Sequence, residues 1–191
     1  TMPGATNHGL VMFFDWSGSM QYNLTQTLKQ LYNLVWFCDR VKIPYRVYAF
    51  SDSYGRMPSY SRIATEDNIV TQDTNQKSDL NVSGFRLLEM FSDKMKKTEQ
   101  SDAMHYWYMM GEYYAGYRNW RDLGYPMSPP KNLHLGGTPL NHAIVAAMSI
   151  IPKFKSDNGI QKVNAVFLTD GVSHSCLLYT SPSPRDRTTA R

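Results

Sequence analysis

The chain has few cysteines and no long hydrophobic run, and both features exclude whole classes of protein. None of its apolar stretches approaches the roughly eighteen residues that a membrane-spanning helix needs, and no charged-then-apolar leader opens the sequence. Its two cysteines, Cys38 and Cys176, lie far apart, and neither has a CxxC partner or a Cys/His neighbour at zinc spacing. We therefore expect a soluble, cytoplasmic protein with unpaired cysteines and no membrane partner.

Positive charge is also scarce for a chain that would bind nucleic acid. The formal net charge is +4, and the last sixteen residues contribute half of it through three Arg and one Asp. No dense Lys/Arg patch remains elsewhere, so the sequence lacks the electrostatic footprint of a nucleic-acid-binding protein. It also lacks the G-x-x-x-x-G-K-[ST] phosphate loop, so ATP hydrolysis by this chain is not expected.

The length of 191 residues fits one domain with a full core. We place this domain at residues 1–175, with a polar excursion at about 52–83 that is rich in Ser, Thr, Asp and Asn. The remaining residues, 176–191, resemble a translated sequencing adapter. We therefore expect the native sequence to stop near Ser175, with the C-terminal elements of the domain truncated, and we assign no function to the tail.

Apolar runs and helical periodicity alternate along the chain. Residues 10–15 form an apolar run that ends in Asp and is typical of a strand buried on both faces; residues 42–52 predict a second parallel strand, and residues 163–171 a further buried strand. Apolar side chains recur at three- and four-residue steps over residues 20–39, much of 93–120, and 138–155, where Pro152 is expected to end the helix. The segment FRLLEMF, residues 85–91, fits either a strand or a helix. This order predicts an α/β fold with a doubly wound, mostly parallel open sheet of the Rossmann-like kind.

Oxygen-bearing side chains follow two of the predicted strands and one connecting loop. In an open α/β sheet, ligands bind at the carboxyl ends of the strands, so we expect these side chains to converge. They comprise two carboxylates and three hydroxyls, with no sulfur or imidazole, a set that suits a hard divalent cation such as Mg²⁺, with Mn²⁺ as a second candidate. The candidate metal ligands are Asp15, Ser17, Ser19, Thr138 and Asp170.

Three short motifs carry these residues: DWSGSM, GGTPL and LTDG. In that order they resemble the three loops of the metal-ion-dependent adhesion site of von Willebrand factor A (VWA) domains, and the resemblance covers most of residues 8–175. It implies direct metal contacts from Ser17, Ser19 and Thr138, and contacts from Asp15 and Asp170, one or both through water. It also implies that the sixth position is left for an acidic residue of a partner protein.

Within that family, the segment LKQLYNLVWFCDRVKIPYRVYAFSD and the GGTPLN loop are most similar to the C-terminal domain of the cobaltochelatase CobT subunit and its phage-borne relatives. This narrower resemblance implies a non-ATPase subunit of a metal chelatase complex, in cobalamin biosynthesis or a phage setting. It also implies that the partner is a ring-forming AAA+ ATPase. The sequence departs from the family pattern at His142, which stands where an acidic or small residue is expected.

Other interpretations of the same residues stay open at this point. Asp and Ser are ordinary helix N-caps, so Asp15, Ser17 and Ser19 could serve that purpose alone. A Ser17 nucleophile with His134 or His142 as its base is a rival, although the G-x-S-x-G elbow is absent. A further alternative is a metal-assisted hydrolase in which the ion activates water. The aromatic segment HYWYMMGEYYAGYRNW is expected to supply core and a partner-facing helix surface rather than a base-stacking platform.

Overall fold

The structure is a computed structural model that describes residues 8–52, 84–116, 129–130 and 133–171. Its strands form one sheet in the order β3-β2-β1-β4. Their bounds are β1 His8–Asp15, β2 Tyr45–Asp52, β3 Phe85–Ser92 and β4 Lys162–Leu168. β1 runs parallel to both of its neighbours, β2 and β4, whereas β3 is antiparallel to β2. The predicted α/β class with a mostly parallel open sheet is confirmed, and FRLLEMF is a strand.

Helices cover both faces of this sheet. Their bounds are α1 Leu24–Val41, α2 Lys97–Ala115 and α3 Leu140–Asp157. α1 and α2 pack against one face and α3 packs against the other. The helix expected from residue 20 begins instead as a 3₁₀ turn, Ser19–Tyr22, before α1 starts.

The central strand β1 shows why its sequence is a continuous apolar run. Met12 and Phe14 face the α1 and α2 side, while Val11 and Phe13 face the α3 side, and none of the four is exposed to solvent. Since successive side chains of a strand point to opposite faces, a strand covered on both sides must be apolar at every position.

Strand β4 corrects one prediction. Its sequence predicted a buried strand, but the side chains along Lys162–Leu168 are half-buried or exposed. The reason is its position: β4 pairs with β1 on one side, and no strand in the described part of the chain pairs with its other side. The apolar side chains of β4 contact the clusters on both faces of the sheet, but at this edge position they are only partly covered.

Pro152 corrects a second prediction, because α3 continues through it to Asp157. Pro152 is exposed, and the helix continues past it although proline has no N–H to donate to the carbonyl four residues earlier. The last helical residue is Asp157, and Asn158 is the C-cap; Gly159 follows with φ +60°, a left-handed conformation that glycine adopts without steric cost.

Several sequence predictions lie wholly or partly outside the described residues. They concern the polar excursion beyond Asp52, the end of the aromatic segment, Cys176 and the tail at residues 176–191. Cys38 is buried and makes no disulfide, and its burial raises the pKa of its thiol to about 11. Across the residues described, none of the helices combines the length and apolar character that crossing a bilayer requires.

Candidate metal centre

Strand β1 ends at Asp15, and the following residue fixes the direction in which the chain leaves the sheet. The Trp16 amide donates to the Phe50 carbonyl at 2.9 Å, and its indole N–H donates to the Leu133 carbonyl at 2.8 Å. The Trp16 ring is only 1% exposed and packs edge-on against Trp107. A bulky, hydrogen-bonded anchor between Asp15 and Ser17 therefore holds both side chains in place.

The loop that carries Thr138 lies directly beside this turn. Ser17 and Gly136 form an isolated parallel bridge, in which the Gly18 amide donates to the Gly136 carbonyl at 2.8 Å. A side chain at Gly136 would collide with the backbone of Asp52, so the loop can approach β2 this closely only with glycine there. The first glycine of the GGTPL motif thus has a packing reason.

Two residues that the sequence did not single out hold the Thr138 loop to the sheet. The Asp52 side chain accepts a hydrogen bond from the Gly137 amide at 2.5 Å. The Arg86 guanidinium donates to the Asp52 carbonyl at 2.9 Å and to the His134 carbonyl at 3.0 Å. Asp52 had a visible signal, since it is the polar end of a predicted strand, but nothing in the sequence marked Arg86.

The structure brings the predicted ligands together at the carboxyl edge of the sheet. The Ser17 and Ser19 hydroxyl oxygens lie 3.0 Å apart, and Ser19 donates to Asp170 Oδ1 at 3.0 Å. The carboxylates of Asp15 and Asp170 repel each other, and hydrogen bonding from the hydroxyls of Ser17 and Thr138 stabilises the charged form of Asp15. Residues that are more than 120 positions apart in sequence thus share one small volume, as the strand-end argument predicted.

Thr169 is a further member of the site that sequence reasoning missed. Its hydroxyl donates to Asp15 Oδ2 at 2.7 Å and accepts from the Gly171 amide at 3.3 Å. This hydrogen bond links the end of β4 to the end of β1 and fixes one oxygen of the Asp15 carboxylate. The signal available in the sequence was its position, immediately before Asp170 in LTDG.

The surroundings of Asp15 disfavour the charged form of its carboxyl group. Its residue is 0% exposed, and this desolvation raises the pKa of its carboxyl above the usual value, with the nearby Asp170 adding to the effect. Hydrogen bonding from Thr169, Ser17 and Thr138 opposes the shift. Even so, Asp15 Oδ1 is buried and has no partner of hydrogen-bond geometry among the described residues.

This donor set fits a hard cation. A buried carboxylate oxygen without a partner, an adjacent second carboxylate and three hydroxyls together offer the all-oxygen surroundings that Mg²⁺ prefers. In the described ranges, no three His, Cys, Asp or Glu side chains group so that they could hold a metal ion. A metal bound by these residues would depend on hydroxyl ligands as well as on the two carboxylates.

The geometry also bears on the capping interpretation. α1 has Asn23 as its N-cap residue and the preceding 3₁₀ turn has Gly18, and neither makes a side-chain capping hydrogen bond. Ser17 and Ser19 hydrogen-bond to each other instead of to the start of α1. The side chains that resemble caps in the sequence therefore face the carboxylates and not the helix terminus.

The serine-nucleophile interpretation gains little from the structure. The Ser17 hydroxyl contacts Ser19 and Asp15, whereas the ring of His142, one of the two proposed bases, stacks on Phe85 with ring centres 5.8 Å apart. The stacking also gives His142 a packing role in a position where the VWA resemblance led us to expect an acidic or small residue.

Fold and site together define a doubly wound α/β domain with an oxygen-lined polar cluster at the carboxyl edge of its sheet. Comparison of this chain with protein-family models, with curated proteins and with solved structures found no match.

Proposed function

We propose that this protein is a Mg²⁺-dependent protein-binding module that uses its ion to capture an acidic residue of a partner. Asp15, Ser17, Ser19, Thr138 and Asp170 would hold the ion. The bound Mg²⁺ would supply a positive charge at the edge of the domain, and Mn²⁺ has the same oxygen preference.

The observation that carries this proposal is the state of Asp15. A carboxylate that is fully buried, with one oxygen lacking a hydrogen-bond partner, is costly to keep charged unless a cation compensates it. Three hydroxyls and a second carboxylate converge on the same volume, and they are the kind of ligands that would accompany such a cation.

The coordination number of Mg²⁺ and the exposure of the site indicate what kind of partner could bind. Mg²⁺ takes six oxygen ligands, and the five side chains leave at least one position for water or for a carboxylate from outside. Ser19 and Asp170 are exposed, so the site is accessible from solvent on their side. An acidic side chain of another protein could therefore complete the coordination.

The resemblance to VWA domains, and among them to the cobaltochelatase CobT subunit, makes this proposal more specific. On that resemblance the protein would be a cytoplasmic, chelatase-like or phage-encoded subunit, and its partner would be an AAA+ ATPase. The chain itself would not hydrolyse ATP, since it lacks a phosphate loop.

The test is a calorimetric titration of the full chain with MgCl₂ and with MnCl₂, repeated in the presence of glutamate. Asp170→Asn removes one carboxylate and keeps the side chain's shape. Its matched control is Asp157→Asn, which alters an exposed Asp at the end of α3, away from the cluster. We expect saturable binding by the wild type and by Asp157→Asn, and its loss in Asp170→Asn.

Two results would contradict the proposal. One is a folded wild-type protein, as judged by circular dichroism, that binds neither ion with or without glutamate. The other is equal binding by Asp170→Asn. Metal-dependent turnover of ester or phosphoester probes without any partner would instead favour the hydrolase alternative.

A further inference from the structure

A second candidate binding site lies between α1 and α2. A solvent-open groove with a volume of about 720 Å³ runs along the C-terminal half of α1 and the N-terminal half of α2. We call it the α1–α2 groove. The side chains that decide its chemistry are Trp36, Met104, Tyr108, Arg40, Lys42 and Lys97.

The groove is remote from the candidate metal centre. α1 follows the carboxyl end of β1 and runs back along the sheet, so its last turn lies at the edge where β2 begins. β3 ends at the same edge, where the Asp93 amide donates to the Tyr45 carbonyl at 3.2 Å. The length of β1, eight residues at about 3.3 Å each, puts roughly 25 Å between this edge and Asp15.

The floor of the groove is formed by buried side chains, and a hydrogen bond joins the two helices there. Tyr32 is buried and donates its hydroxyl proton to the Met104 carbonyl at 2.6 Å, which ties α1 to α2. Trp36 lies above this floor and is 55% exposed. A large aromatic side chain left half in solvent on a fixed floor is typical of a binding hot spot, because a partner can bury it with little loss of conformational entropy.

The rim of the groove carries an excess of positive charge. Three cationic side chains, Arg40, Lys42 and Lys97, line it, and none forms an ion pair with any residue that the structure describes. The one carboxylate in the lining, Asp39, accepts a hydrogen bond from Gln100 at 2.8 Å.

The placement of Lys97 adds to this excess. It is the first residue of α2, where the helix dipole disfavours a cation and favours an anion. Glu99 in the first turn already accepts a hydrogen bond from the Lys96 amide at this helix end, so the attraction for a carboxylate from outside rests on the three cationic side chains of the rim.

We propose that the α1–α2 groove binds a short acidic segment of a partner protein, which packs one aromatic or large aliphatic side chain on Trp36. Carboxylates of the same segment would pair with Arg40, Lys42 and Lys97. Helix–helix grooves of this kind bind peptides through a few apolar anchors, and complementary charge sets orientation and association rate. This site would act independently of the metal centre.

The experiment begins with selection of a random displayed peptide library on the full chain in EDTA. The strongest binder is then synthesised with a fluorescent label, and its affinity is measured by anisotropy at low and high salt. We expect the enriched peptides to combine several Asp or Glu with an aromatic residue. No enrichment, or enrichment without acidic residues, would overturn the proposal.

Variants in matched pairs test the location. Trp36→Ala should weaken binding about tenfold or more, as for a hot-spot residue, whereas Tyr22→Ala, which removes an aromatic that is 79% exposed at the other end of α1, should change it less than about twofold. Arg40→Glu should weaken binding and reduce its salt dependence, and Lys162→Glu, at the exposed start of β4, should do neither.

Each variant is first shown to be folded by circular dichroism. Unchanged affinity in Trp36→Ala and Arg40→Glu would place the peptide elsewhere and overturn the proposal. An aromatic group and a carboxylate could come from a peptide or from a small aromatic acid, and competition with phenylacetate distinguishes the two. If that small acid displaces the peptide at equal concentration, the groove takes free aromatic acids and the peptide proposal is wrong.

Discussion

The two faces of the sheet are packed to very different extents. On the α1 and α2 side, 19 buried residues form one cluster among the described residues, whereas the α3 side has nine. α3 also leaves Ile144, Val145 and Met148 exposed, the last at 71%. The candidate metal centre takes Asp15 from the end of the central strand β1, Ser17 and Ser19 from the turn that follows it, and Asp170 from beyond the edge strand β4. An ion bound there would join a firmly held strand to a less covered one.

The largest effect expected from this difference is on stability. Leu28 is fully buried in the larger cluster, so Leu28→Ala should lower the free energy of unfolding by about 2–5 kcal/mol. The same truncation on the other face, Met148→Ala, should change it by less than about 0.5 kcal/mol, because that side chain is mostly in solvent. Urea unfolding followed by circular dichroism measures both. Equal costs would contradict the difference in burial between these two side chains.

The next effect tests whether close backbone approach holds the Thr138 loop. Gly136→Ala places a methyl group against the Asp52 backbone and should cost about 1–3 kcal/mol of stability while abolishing Mg²⁺ binding. Gly171→Ala is the control, since a methyl group there meets no atom within 4 Å. Urea unfolding and calorimetry report the two consequences. A Gly136→Ala protein that binds Mg²⁺ normally would show that the loop tolerates displacement.

A smaller effect tests the link between β1 and β4. Thr169→Val keeps the shape of the side chain but removes the hydrogen bond to Asp15, so Mg²⁺ affinity should fall about 10- to 100-fold. Thr27→Val removes a threonine hydrogen bond in the first turn of α1, to the Asn23 carbonyl, and should leave affinity unchanged. Calorimetry compares the two variants. Full affinity in Thr169→Val would mean that Asp15 is oriented without this contact.

The smallest effect concerns the dynamics of β4. If Mg²⁺ joins Asp170 to Asp15, amide hydrogen exchange in β4 should slow by up to about tenfold at a Mg²⁺ concentration ten times the Kd. Exchange in β2, which is buried along most of its length, should change less. Hydrogen exchange with and without MgCl₂, on wild type and Asp170→Asn, measures this. Equal slowing in both strands would indicate a global effect instead of a local one.

Much of the fold was predictable because its signals are local. The apolar run of β1 and the helical spacing of α1 each follow from burial on known faces. The half-exposure of β4 was not predictable, because it depends on which strands are neighbours, and the sequence of a strand does not contain that information. Pro152 misled for a related reason: a proline ends a helix in general, but an exposed one near the last turn can be accommodated.

The candidate site divides in the same way. Its five proposed ligands were recognisable because each follows a strand or opens a helix, and strand ends of a parallel sheet meet at one edge. Arg86 was not recognisable, since its contacts to the carbonyls of Asp52 and His134 arise only when β3 pairs with β2 and the loop folds over both. A residue that positions a loop in this way does not belong to a recognisable sequence motif.

The antiparallel direction of β3 determines at which edge of the sheet the connection from β2 to β3 starts and finishes. Because β2 and β3 are consecutive and antiparallel, Asp52 and Phe85 are paired at the same edge of the sheet, next to the Gly137 amide that Asp52 binds. The chain between them leaves and re-enters the sheet beside the proposed ion ligands. An insertion between Asp52 and Phe85 would therefore start and finish at the edge of the sheet that carries the proposed ligands, and it would be placed to contact any partner that binds there.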